Sequence, residues 1–118
     1  MRVVIVGATG NAGTALLRRL RSEPDVEVIG IARRTPQDSG PYADMEWHPV
    51  DIGRDDAAER LAQIFGGADA VVNLAWQIQP SHDSRQLYRT NVLGGRAVFR
   101  AALRAGVATL VHASSVGV

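Results

Sequence analysis

Cysteine and lysine are both absent from the 118 residues. Without cysteine there is no disulfide, no thiolate chemistry and no cysteine-ligated zinc. Without lysine, all thirteen cationic side chains are arginine, which bears on catalysis below. Charge of one sign is also scarce: the formal net charge is +1, with no polyacidic or polybasic tail, so composition points to neither nucleic acid nor a membrane. No apolar run approaches the roughly 20 residues that span a bilayer. The chain enters a strand directly at "MRVVIV", without the charged and apolar regions of a secretory signal, so a cytoplasmic protein is the default expectation. His48, His82 and His112 share no metal-ligand spacing, and no metal site is expected. The length suits one domain with a real core and is too short for two.

What is present is alternation. Short β-branched runs, "RVVIVG" (2–7), "VEVIGIA" (26–32), "MEWHPVDI" (45–52) and "ADAVVNLA" (68–75), are separated by segments with helical periodicity. Residues 12–22 place Leu16, Leu17 and Leu20 on one face. In residues 56–65, Asp56 followed by Glu59 resembles a capping box. The longest helix is expected from about residue 85 to 105, with Tyr88, Asn91, Val92, Gly95, Val98 and Ala102 at helical spacing. "ATLVHASSVGV" (108–118) reads as a closing strand buried on both faces. Pro49 makes the third strand an edge candidate. Such alternation, with Val-rich continuous runs, argues for a parallel sheet covered on both faces. Residues 33–44, rich in Pro, Gly and polar residues, are expected to be the least ordered.

The sharpest local signal is "VVIVGATGNAG". Gly7, Gly10 and Gly13 lie three apart where the first strand gives way to the first helix. Gly7 allows a sharp turn, Gly10 allows backbone to approach a bulky anion, and Gly13 allows close helix packing. The N–H groups around Asn11 and Ala12 then face a pyrophosphate that the helix dipole favours. The spacing is G-x-x-G-x-x-G rather than the usual G-x-G-x-x-G.

With "VDI" (50–52), "NLAW" (73–76), "TNVLGG" (90–95) and "LVHASS" (110–115) following in order, the whole chain resembles the extended short-chain dehydrogenase/reductase superfamily, the NAD-dependent epimerase/dehydratases. The resemblance implies an α/β fold, a Rossmann-like doubly wound parallel sheet of strand order 3-2-1-4-5. It makes residues 1–118 an NAD(P)-binding domain that ends after the fifth strand, without the substrate-binding part. These residues are therefore expected to be the amino-terminal portion of a longer enzyme.

At the end of the second strand, where an NAD site usually carries a carboxylate, the chain reads Ala32, Arg33, Arg34. The two guanidiniums offer bidentate donors for a 2′-phosphate, so NADP is favoured over NAD; the alternative is that both are solvated loop residues. By resemblance, Asp51 contacts the adenine amino group with Ile52 beside the ring, unless Asp51 is only a turn or cap residue. Leu74 and Ala75 present backbone to the coenzyme. Trp76 either walls the nicotinamide or substrate pocket or belongs to the core. Asn91 matches an asparagine that holds backbone and water near the active site, or it serves structure alone.

The family also implies that the closing strand delivers a catalytic serine, here Ser115 with Ser114 as second choice, and that a tyrosine with a lysine four residues on acts as acid/base. The only tyrosines are Tyr42 and Tyr88, and Tyr-x-x-x-Lys is absent. Arg85, Arg89, Arg96, Arg100 and Arg104 line the long helix as a solvated face or a homodimer surface. The reaction implied is hydride transfer at a carbinol or carbonyl of a small molecule such as a sugar nucleotide. The rival is a non-catalytic NADP-binding redox sensor of the NmrA-like kind. An unassisted tyrosine with a pKa near 10 is a poor base at neutral pH. The 118-residue chain is thus expected to show no turnover with either nicotinamide coenzyme, followed as nicotinamide absorbance against sugar and sugar-nucleotide substrates.

Overall fold

A computed structural model of the chain describes residues 1–75, 85 and 88–113. Five parallel strands form one sheet, β1 (Arg2–Val6), β2 (Glu27–Ala32), β3 (Glu46–Pro49), β4 (Ala70–Asn73) and β5 (Thr109–His112), in the order β3-β2-β1-β4-β5. Helices α1 (Asn11–Leu20), α2 (Ala57–Phe65) and α3 (Gly94–Ala105) cover it, the last preceded by a π-helical segment, Arg89–Leu93. This is the Rossmann-like arrangement expected. Among the described residues no helix is long and apolar enough to cross a membrane.

Central β1 shows why its apolar run is continuous. Val4 and Val6 face a core with Leu61 and Phe65 of α2 and Val98 and Ala101 of α3, while Val3 and Ile5 face Leu17 of α1. Both faces are therefore dry, and each buried aliphatic side chain contributes about 1.5–3 kcal/mol. On α1, Leu17 is buried and Leu16 and Leu20 pack beside it, as the periodicity predicts. Pro49 closes β3, the edge strand, as expected.

Several expectations fail for tertiary reasons. β5 is not buried on both faces: Thr109 and Val111 are exposed, because among the described elements only α3 packs near its Leu110–His112 side. The capping box does not form. Asp56 sits at φ −89°, ψ 2°, outside the extended conformation of a capping residue, and makes no side-chain cap bond. The long helix is interrupted, since residues 89–93 are π-helical rather than α-helical.

Within residues 33–44, the second half is held: Asp44 N–H donates to Asp38 Oδ1 at 2.9 Å. A 3-10 turn, Gly40–Tyr42, is pinned by Arg21 Nη1 donating to Pro41 O and Ala43 O, and by Trp47 Nε1 donating to Tyr42 O. The Tyr42 hydroxyl lies 2.8 Å from Thr14 Oγ1, and its ring meets Trp47 edge-on. Tyr42 is thus a packing residue of the α1 face. Trp47 in turn lies over Gly30, its cross-strand partner: a Cβ at Gly30 would stand 2.5 Å from the indole ring. Gly30→Val should therefore displace the indole, break its bond to Tyr42 and loosen this loop. The expected cost is about 1–3 kcal/mol, measured by urea denaturation.

Candidate functional site

The carboxyl ends of β1–β4 open onto a crevice of about 190 Å³. Its geometry begins at Gly7, where φ is +81°, a conformation that L side chains rarely adopt. A Cβ there would also stand 2.7–2.8 Å from the backbone of Leu74 and Ala75. The N–H groups of Gly7 and Ala8 both donate to Ile31 O, tying the turn to β2. Gly13 is packed against this turn: a Cβ would lie 2.5 Å from Gly7 O and 2.6 Å from the Ala8 carbonyl carbon. Its closeness thus serves the turn more than the sheet.

Gly10 differs from the other two. Its φ of −73° suits any residue, and the nearest atom to a Cβ at this position would be Gly7 O at 3.6 Å, an ordinary contact. No atom of the described residues requires glycine there, yet Gly10 lines the crevice. A side chain would instead take up room beside the start of α1. That helix has no side-chain cap and no acidic residue in its first turn. The N–H groups of Asn11 and Ala12 lack intrahelical acceptors, and the positive end of the dipole is uncompensated. Bare backbone facing uncapped donors fits a pyrophosphate.

The adjacent wall comes from β2 and β3. Ala32 and Arg33 line one side, and Val50, Asp51 and Ile52 the other. Asp51 Oδ1 accepts the Gly53 N–H at 3.0 Å, so the residue does shape a turn while also lining the crevice. Ile52 is buried, and the helix leading from the π segment closes on it at Gly94, where a Cβ would lie 2.7 Å from the Ile52 side chain. Arg33 and Arg34 are both exposed, but only Arg33 lines the crevice.

The floor is the end of β4. Leu74 N–H donates to Val6 O, and Ala75 N–H to Asn73 Oδ1 at 3.2 Å. Asn73 is 1% exposed, and its Nδ2 donates to His112 Nδ1 at 3.1 Å. This amide thus holds the Leu74–Ala75 backbone in place by bridging β4 and β5. Asn91 lies half-buried in the π segment and does not line the crevice, whereas its neighbour Thr90 does. Trp76, Ser114 and Ser115 lie outside the described residues.

Sequence reasoning missed Thr9 and Thr90, which line the crevice, and Asn73, which supports its floor. A polar residue inside the apolar run "AVVNLA" was the available signal for Asn73. The threonines carried none, because only the fold brings them to the cleft.

The sequence model of the NAD-dependent epimerase/dehydratase family matches residues 3–118. The chain belongs to that family. An L-arabinose 1-dehydrogenase (NAD(P)(+)) of Haloferax volcanii is 33% identical over 114 residues, covering 97% of the chain and 41% of the relative. A dTDP-6-deoxy-L-talose 4-dehydrogenase (NAD(P)(+)) of Kitasatospora kifunensis is 33% identical, covering 98% and 35%. Among solved structures, a uronate dehydrogenase from Agrobacterium tumefaciens, a Y136A mutant complexed with NAD, shares the fold at a TM-score of 0.78 and 23% identity, covering 97% of this chain and 40% of that one. The chain spans about two fifths of the length of these relatives.

Because no described atom crowds a side chain at residue 10, Gly10→Val should lower the thermal melt only by the modest cost of losing a glycine N-cap, about 1 kcal/mol. Coenzyme binding should be lost. Titration by tryptophan fluorescence and calorimetry checks both, and unchanged affinity would remove Gly10 from the site.

Proposed function

We propose that this chain is the coenzyme-binding portion of an NAD(P)-dependent oxidoreductase, epimerase or dehydratase, that it prefers NADP, and that the parent reaction is hydride transfer at a carbinol or carbonyl carbon of a sugar or sugar nucleotide. The observation that carries this reading is the crevice itself. A glycine-rich turn, uncapped helix donors and the ends of four parallel strands meet at the point where strand order reverses, the usual ligand position in such sheets. The relatives' names, which specify sugar or sugar-nucleotide dehydrogenases using either coenzyme, support the substrate class.

The bound coenzyme supplies the hydride acceptor or donor. The chain's part is to hold and orient it. Asn11 and Ala12 N–H groups take the pyrophosphate, Gly10 keeps the approach open, and Gly7 and Gly13 allow the tight turn that presents them. The free edge of Asp51 receives the adenine amino group, and Ile52 flanks the ring. Leu74 and Ala75 floor the nicotinamide side, Trp76 walls it, and Asn91 holds the backbone beside it. Ser115, or Ser114 in its place, donates to the reacting oxygen. Exposed Phe99 and Leu103 on α3, beside Arg96 and Arg100, support homodimer contact through that helix.

Coenzyme choice rests on β2. It ends in Ala32 without a carboxylate, and its acidic residue, Glu27, stands at the opposite end. A carboxylate there would repel a 2′-phosphate, whereas Arg33 attracts one. Arg33→Ala should weaken NADP binding about 10- to 100-fold, the loss of a charged hydrogen bond, and leave NAD nearly unchanged. Parallel calorimetric titrations decide it; equal losses for both coenzymes would reject the preference.

A further inference from the structure

Beyond Asp51 the crevice runs on into a second cavity of about 390 Å³. The two share Arg33, Asp51 and Thr90, and the second adds Arg54, Arg85 and Arg89. These arginines arrive from three separate segments: Arg33 from the end of β2, Arg54 from the turn before α2, and Arg89 from the start of the π segment. None of Arg33, Arg54 and Arg89 forms an ion pair with a described residue. Among the described lining residues the one carboxylate, Asp51, already accepts the Gly53 N–H. Arg34 lines neither cavity.

Convergence of this kind is not an accident of a solvated helix face. Gly53 lets the π segment press onto the turn that carries Asp51 and Arg54: a Cβ at residue 53 would lie 3.2 Å from Arg89 Cβ. Close packing therefore sets the Arg89 stem against the loop bearing Arg54, and like charges are gathered around one concave space. Gathering them costs repulsion unless an anion sits between them, and guanidinium forks suit phosphate oxygens best.

We propose that this cavity is a phosphate-monoester subsite formed by Arg33, Arg54 and Arg89. Two sources supply that chemistry. One is the 2′-phosphate of an adenine dinucleotide seated in the first cavity and reaching past Arg33; this source rests on the dinucleotide reading above. The other is a free phosphate-bearing molecule entering from solvent, which does not. In the first case coenzyme discrimination is spread over three elements, with Arg34 outside it.

The test is calorimetric titration of the full chain and of R54Q, R89Q and R34Q with NADPH, NADH, adenosine 2′,5′-bisphosphate, 5′-AMP and inorganic phosphate. Circular dichroism melts confirm that each variant folds. For the coenzyme source, R54Q and R89Q each weaken NADPH and the bisphosphate about tenfold while NADH, 5′-AMP and the R34Q control do not change. For the free source, both variants lose inorganic phosphate with coenzyme affinities intact. If the parent chain binds neither coenzyme yet holds inorganic phosphate through Arg54 and Arg89, the dinucleotide reading falls and the subsite stands. The subsite is overturned if R54Q and R89Q bind every probe as the parent does, or if NADH weakens as much as NADPH.

Discussion

The structure depends on one crowded point, the turn at Gly7. Three segments compete for the same volume there: the end of β1, the Leu74–Ala75 backbone after β4, and Gly13 on the first turn of α1. The contacts that side chains would make at residues 7 and 13 are with backbone atoms, at 2.5–2.8 Å. Rotamer changes cannot relieve such overlaps, so either the glycines are present or the elements separate. The same closeness aims the start of α1 across the strand ends. Fold and candidate site therefore share a single steric condition, and the uncapped donors of α1 are presented to the crevice without any dedicated side chain.

Asn73 supplies the complementary condition on the other side of the turn. A buried amide without partners would cost a few kcal/mol. Here both ends are satisfied, the oxygen by Ala75 N–H and the nitrogen by His112. The pairing works only because Asn73 and His112 are register partners in adjacent parallel strands. An error in β4–β5 alignment would leave a polar group stranded in a dry floor. The amide thus ties the alignment of the sheet to the position of the backbone lining the crevice.

Much of this was legible in the sequence because the signals are local. Val-rich runs read as central strands, Pro49 marked an edge, and the glycine triplet marked the turn, each through a constraint acting within a few residues. What escaped was set by partners remote in the chain. Residues 33–44 look loose by composition, yet Arg21, Thr14 and Trp47 hold Pro41, Tyr42 and Ala43 within them. Gly30 looks like an ordinary strand residue until Trp47 is laid over it. The Asp56–Glu59 spacing promised a cap that the backbone angles at Asp56 do not permit. In the candidate site, Gly7 and Gly10 could be named from pattern and Asp51 by family resemblance, whereas Thr9, Thr90, Arg54 and Arg89 meet only in space.

The site divides into two halves that obey different rules. The half at the start of α1 is backbone, built into the packing of β1, α1 and β4, and a side chain at Gly7 or Gly13, though not at Gly10, is felt by that packing. The end beyond Asp51 is bordered by arginines that are exposed and absent from both hydrophobic clusters. Their removal takes away charge without opening a cavity, so the charge of this end can vary while the fold stays fixed. An all-arginine cation set accentuates this division. Each guanidinium presents a rigid fork on an exchangeable side chain, whereas the turn at the start of α1 is backbone that cannot be exchanged.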